Sequence, residues 1–162
     1  MYTQSELSQV RSLKKRRTLI AVIPAAILLA AGIVLFVLGR IDRSDSMWKI
    51  TAAFTVAGLF YLFFMLGVYV VPVYKYEKHV DRMLNGRQHL CTGILKEVSD
   101  NVCEKEGVLF HPIMINVGEK NDGKDDRLYY FDVLKELPQI PLGERITIQH
   151  NDIMVSDFYR AE

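Results

Sequence analysis

The sequence predicts an α+β membrane protein: a two-helix transmembrane hairpin followed by a small five-stranded, barrel-like β-domain. Three observations predict it. Two uncharged apolar runs cover residues 18–39 and 50–74, 22 and 25 residues long. At about 1.5 Å rise per residue, each is long enough for a hydrocarbon core of about 30 Å. Only ten residues, 40–49, separate them. From His89 the pattern then changes to alternation, with β-branched and aromatic residues between turn signals.

Residues 1–17 form a basic N-terminal segment, with Leu7, Val10 and Leu13 at helical spacing and Ser5 as a candidate cap. A short amphipathic helix on the membrane surface is one reading; a plain topology signal is the simpler one. A cleavable signal peptide does not fit, because signal cores run only about 7–15 residues and this apolar run continues well past that.

The hairpin region, 18–74, has spans at about 18–39 and 50–73. Ala26-x-x-x-Ala30 in the first span and Ala53-x-x-x-Ala57 in the second have the spacing that lets helix backbones approach. The expectation is that small faces pack together and aromatic bulk such as Phe60, Phe63 and Phe64 points to lipid or to a partner. Pro24 and Pro72 lie near span ends, where the loss of a donor costs least. Trp48 and Tyr74 suit membrane edges. Neither span holds an ionisable residue, which argues against a channel or transporter acting alone.

Residues 75–87 read as a helical stalk. Tyr76, Val80, Met83 and Leu84 share one face, and Asn85-Gly86 ends the helix.

The net charge of +1 hides an asymmetry. Residues 1–17 carry +4 and residues 85–162 carry −5. Arg11, Lys14, Lys15, Arg16 and Arg17 flank the first span, and Lys75, Lys78, Arg82 and Arg87 follow the second. The loop holds Arg40, Arg43 and Lys49. Basic flanks collect on the cytoplasmic side. The expected topology therefore has both termini and the β-domain in the cytoplasm and loop 40–49 outside.

Residues 88–162 read as the β-domain, with strands near 90–98, 108–117, 127–134, 144–150 and 153–158. A charged loop lies at 119–126, a connection at 138–143, and a tight turn at Asn151-Asp152. Five short strands in so small a domain suit an OB or SH3-like barrel, because closure removes exposed edges. The expected core is Leu95, Val98, Leu109, Ile113, Ile115, Tyr129, Phe131, Val133, Ile146, Ile148 and Val155. At least one of the adjacent Tyr129, Tyr130 and Phe131 is expected to be exposed.

The closing run of residues 141–158, PLGERITIQHNDIMVSDF, has a Pro-Gly turn, a strand, a two-residue turn and a last strand. It resembles the end of the small OB-like barrels carried by membrane-anchored NfeD-type proteins. The resemblance implies a membrane-tethered accessory or scaffolding role and transfers no catalytic residue. The overall plan is also similar to that of many small bacterial membrane proteins.

Candidate chemistry is sparse. His89, Cys91, Cys103 and His111 are the residue types zinc accepts, but their spacing matches no usual ligand pattern. In loop 119–126 Lys120 and Lys124 interrupt any calcium pattern, so it reads as a solvated hairpin loop. Nucleic acid is not expected as a partner, because the β-domain is acidic and Arg127 is the only basic neighbour of its aromatic triplet. The chain has no G-x-S-x-G, phosphate-binding glycine loop or H-E-x-x-H. Asp132 and Asp157 stand as scattered acids. No catalytic residue, cofactor or metal ligand is assigned.

The expected function is thus non-enzymatic: an integral membrane protein whose cytoplasmic β-domain is an interaction, scaffolding or accessory module. Its partners are the lipid bilayer and either a membrane protein or further copies of itself. The alternative is a membrane-tethered ligand or metal sensor, or an enzyme, with its site in the β-domain.

Overall fold

A computed structural model describes residues 1–41, 47–118, 123–137 and 139–160. The fold is α+β: two long apolar helices are followed by a six-stranded mixed sheet. Residues 42–46 of the loop, and the first half of the 119–126 segment read above for calcium, lie outside the described residues. The chain divides into two compact units, Gln9–Tyr74 and Met1–Ser8 with Lys75–Glu162.

Helix α1 runs without a break from Gln4 to Ile41, through both the basic segment and the first apolar run. Thr3, rather than Ser5, caps it: its Oγ1 accepts from Glu6 N–H at 3.2 Å. Glu6 stands three residues after the cap, the Thr-x-x-Glu spacing of a capping box. Helix α2 spans Met47–Met65, a π-helical turn covers Leu66–Val70, and α3 spans Val71–Asn85. The wide turn precedes Pro72, which has no N–H for the fourth carbonyl before it.

Within the apolar unit, the contact face differs from the expected one. Ala21 and Ala25 are buried together with Gly32 of α1 and Gly58 of α2, whereas Ala26, Ala30, Ala53 and Ala57 are exposed. Gly58 lies against Leu28, Leu29 and the Ala25 carbonyl, and Gly32 against Thr55 and Phe54. Positions 21, 25, 28 and 32 make one helical stripe. Tyr61 donates its hydroxyl to the Ile20 carbonyl at 3.1 Å. That carbonyl is the one Pro24 cannot serve, so a side chain from α2 replaces the missing backbone donor. Arg17 donates to the Tyr69 carbonyl and stands over its ring, and Lys14 stands over the Tyr74 ring.

Among the described residues of the other unit there are six strands, not five: β1 His89–Val98, β2 Cys103–Lys105, β3 Val108–Asn116, β4 Asp126–Asp132, β5 Arg145–Asn151 and β6 Met154–Arg160. Their order is β1-β5-β6-β4-β3-β2, and β1 also pairs with β3. The unexpected β2 is only three residues long. It joins β3 through Glu106 and Gly107 at φ 52° and 80°, the two positive values a tight hairpin turn requires. The β5–β6 turn sits at Asp152-Ile153, one residue later than expected, with Asp152 at φ 54°. The strand expected at 127–134 ends at Asp132, whose side chain accepts Leu134 N–H at 2.9 Å and starts a turn.

Two apolar clusters hold this unit. Leu95, Ile113, Ile115, Tyr129, Phe131, Ile146, Ile148 and Val155 form one, with Val98 packed against it. Tyr2, Leu7, Val80, Met83, Val108, Phe110, Tyr130 and Met154 form the other. Along β3 and β4 the members alternate, odd positions to the first cluster and even positions to the second. Both faces of β4 are therefore covered, and Tyr129, Tyr130 and Phe131 are all buried, contrary to expectation. Leu109, expected in the core, is 52% exposed, and its neighbours Val108 and Phe110 are buried instead. Val133 is half-buried in the turn after β4. Residues 75–85 keep their expected apolar face, and that face packs on the sheet.

Candidate functional site

The second cluster carries a buried polar network at its edge. Three separate segments build it. The residues before and inside the first turn of α1 supply Tyr2 and Glu6, α3 supplies Tyr76 and His79, and the end of β4 and its turn supply Asp132 and Lys135. Asp132 is completely buried. Its Oδ2 accepts from the Tyr2 hydroxyl at 3.1 Å and lies 3.0 Å from the Tyr76 hydroxyl. Its Oδ1 takes Leu134 N–H. The Tyr76 proton is shared with Glu6 Oε1, 3.1 Å away, and Glu6 Oε2 pairs with Lys135. Lys135 also stands 4.6 Å over the Tyr2 ring.

His79 Nε2 lies 2.9 Å from the Tyr2 oxygen. Tyr2 has one proton. With that proton donated to Asp132 Oδ2, the imidazole must carry its own hydrogen on Nε2 and donate it to Tyr2. The ring packs edge-on against Phe110 at 5.1 Å between centroids. Burial pushes the His79 pKa down, as does Arg82, while Asp132, Glu106 and Glu6 oppose the shift. Burial first, and Asp132 next, push the Tyr2 and Tyr76 hydroxyls up. The network therefore holds neutral phenols and a neutral imidazole around the Asp132 carboxyl, whose oxygens are occupied, with the Glu6–Lys135 pair beside it. It clamps the N-terminal residues and α3 to the end of β4.

Two hollows flank the network. A cleft of about 180 Å³ is lined by Tyr76, Gly107, Val108, Leu109, Asp132, Val133 and Leu134, mostly apolar walls. A second, of about 160 Å³, is bordered by Tyr2, Met83, Gln88, Gln149, Ser156 and Asp157 among others. Asp132 and Asp157 thus fall in different hollows and do not form a pair.

The four residues weighed for zinc are not brought together. Cys91 packs against the first cluster and Cys103 against the second. The Cys91 thiol meets the Tyr129 hydroxyl, whose pKa is pushed up to about 12 by burial and by that contact. His89 stands beside His150, 5.8 Å between ring centroids, and His111 Nδ1 lies 3.2 Å from the Ser99 carbonyl. Both cysteines are free thiols. Among the described residues no group of three His, Cys, Asp or Glu is placed to hold a metal ion. In the loop read for calcium, Asp126 bonds to Asn116 at 2.6 Å and pairs with Lys96 at 2.9 Å. These two contacts hold its carboxyl below the usual range.

Sequence reasoning missed Tyr2, Glu6, Tyr76, His79 and Lys135 as a group, because they come from three distant segments, Glu6 and Lys135 being 129 positions apart. One signal was available. The run Tyr129–Asp132 is apolar on both parities up to its final acid, which marks a strand covered on both faces.

Compared with known proteins, the chain matches no family model, no curated protein and no solved structure.

Proposed function

We propose that the chain is an integral membrane protein whose two apolar helices cross the bilayer as a hairpin and whose β-domain serves as a non-enzymatic interaction or scaffolding module. One observation carries the reading. Only 17% of the apolar window of α1, and 11% of that running from α2, is buried. Core helices of a soluble protein bury such surface, and lipid is the cover that suits it. The uncharged spans and their basic flanks support a cytoplasmic β-domain with the 40–49 loop outside. The additional β1–β3 pairing supports a closed barrel of the OB or SH3-like kind, with β2 as an appended edge. The clamp around Asp132 favours a binding module over an enzyme, since its polar groups are engaged with one another.

Two measurements test this. In a background lacking Cys91 and Cys103, single cysteines at Ser44 and Asn121 are treated with an impermeant thiol reagent on intact cells. Labelling at Ser44 alone is expected, and labelling at Asn121 alone inverts the topology. Purification in mild detergent, after crosslinking in cells, should yield a homo-oligomer or a stoichiometric membrane partner. A monomer without crosslinked neighbours would falsify the interaction role.

A further inference from the structure

Lys75 is the first residue after the second apolar run, one helical step of about 1.5 Å beyond Tyr74. Its side chain lies over Gly107 in the β2–β3 turn, in the space a Cβ there would occupy. Gly107 opens the rim of the 180 Å³ cleft, and the walls continue through Val108, Leu109, Val133 and Leu134. Leu109 is 52% exposed and Leu134 is 72% exposed. Lys75 and Lys105 neighbour this apolar rim, together with Glu104 opposite Leu109 and Glu106 in the turn, while Lys135 is held by Glu6.

We propose that the rim formed by Leu109 and Leu134 rests in the headgroup layer of the bilayer, so that the β-domain is docked on lipid. The inference rests on the reading that residues 50–74 cross the membrane. If they do, Lys75 marks the water boundary of the span. The turn it covers, and the leucines next to that turn, then lie at the same level. Exposed leucines beside a boundary lysine suit an interfacial surface: the leucines enter the acyl boundary and the Lys75 ammonium stays at headgroup level. The domain as a whole is acidic, so an anionic leaflet would repel it. The contact must therefore come from the exposed leucines themselves, Leu109 and Leu134.

Leu142 supplies the control. It is 64% exposed but lies next to Gly143, whose N–H bonds to the Leu95 carbonyl. Leu95 pairs with Ile115, six positions along β3 from Leu109, or about 20 Å at strand spacing.

The full chain, with Cys91 and Cys103 replaced by serine, is reconstituted into phosphatidylcholine–phosphatidylglycerol vesicles. It carries a nitroxide at position 109, 134 or 142. Expected is a several-fold higher ratio of oxygen to water-soluble nickel-complex accessibility at 109 and 134 than at 142. Equal, water-like values at all three positions overturn the proposal. Dry labels in native membranes that turn wet in pure lipid also overturn it, assigning the rim to a protein partner. Alkaline carbonate extraction separates the two readings. Release of the chain defeats the membrane reading itself. Retention with wet labels defeats only the docking. Both leucines are exposed, so these substitutions leave the packed clusters intact.

Discussion

The two apolar clusters of the β-domain unit have nearly equal membership but opposite chain geography. The first draws every buried member from the strands between Leu95 and Val155. The second takes Tyr2 and Leu7 from the start of the chain, Val80 and Met83 from α3, and only the remainder from the strands. The first is therefore a property of the β-domain by itself. The second exists only when three segments meet, and it carries the polar clamp around Asp132. A fragment beginning at residue 88 would keep the first cluster and present Phe110 and Tyr130 bare to water, an aggregation hazard for any test on the isolated domain.

The largest expected effect comes from truncating one large residue in each cluster. Phe110 and Ile148 are each essentially fully buried. Phe110→Ala should cost about 3–5 kcal/mol and Ile148→Ala about 2–5 kcal/mol, as for other core deletions. Thermal unfolding of the full chain in detergent gives the size, and limited proteolysis gives the location. With Phe110→Ala, cleavage near the N-terminus should come before loss of the sheet. With Ile148→Ala, both should be lost together. If both variants show one coincident transition, the clusters form a single cooperative unit and the distinction fails.

That difference in geography also explains what was legible in the sequence. Leu95, Ile113, Ile115, Tyr129, Phe131, Ile146, Ile148 and Val155 could be read from alternation, because a strand that shows one face to the core repeats every two residues. Phe110 and Tyr130 escaped, since a second covered face leaves no polar parity to mark it. Leu109 was misplaced for the same reason: β3 buries even positions at its start and odd positions further on. The amphipathic face of α3 was visible, but its partner was not, since periodicity says that a face is covered and not by what. In the two apolar runs nearly every position is uncharged and apolar, so only packing could reveal that Ala25 and Gly32, not Ala26 and Ala30, meet the second helix.

A middle-sized effect should appear with pH just below neutrality, through the second cluster. His79 has its pKa lowered below 6.5, with burial the main cause. The unfolded chain therefore binds its proton first as pH falls. Stability from keeping this ring neutral is fully present above the unfolded value of about 6.5 and is lost as pH falls toward the depressed native value. Melting temperature should drop across that acid range in the parent. The drop should be shallower in His79→Gln, although that variant starts lower because it loses the contact with Phe110. An unchanged slope would show that the imidazole is not held neutral by this cluster.

The smallest expected effect is the most discriminating for register. Leu109 sits between two buried residues, and a one-position slip of β3 would exchange its role with theirs. In the observed pairing Leu109 faces Glu104 across the short β2 hairpin and remains half open. Leu109→Ala should therefore change stability by no more than about 0.5 kcal/mol, the range for surface positions. A loss of about 2–5 kcal/mol, typical of a buried leucine, would mean that β3 is shifted and that the second cluster is built from other residues. Val108→Ala in the same experiment should be the costlier of the two, because Val108 packs against the second cluster and Leu109 does not.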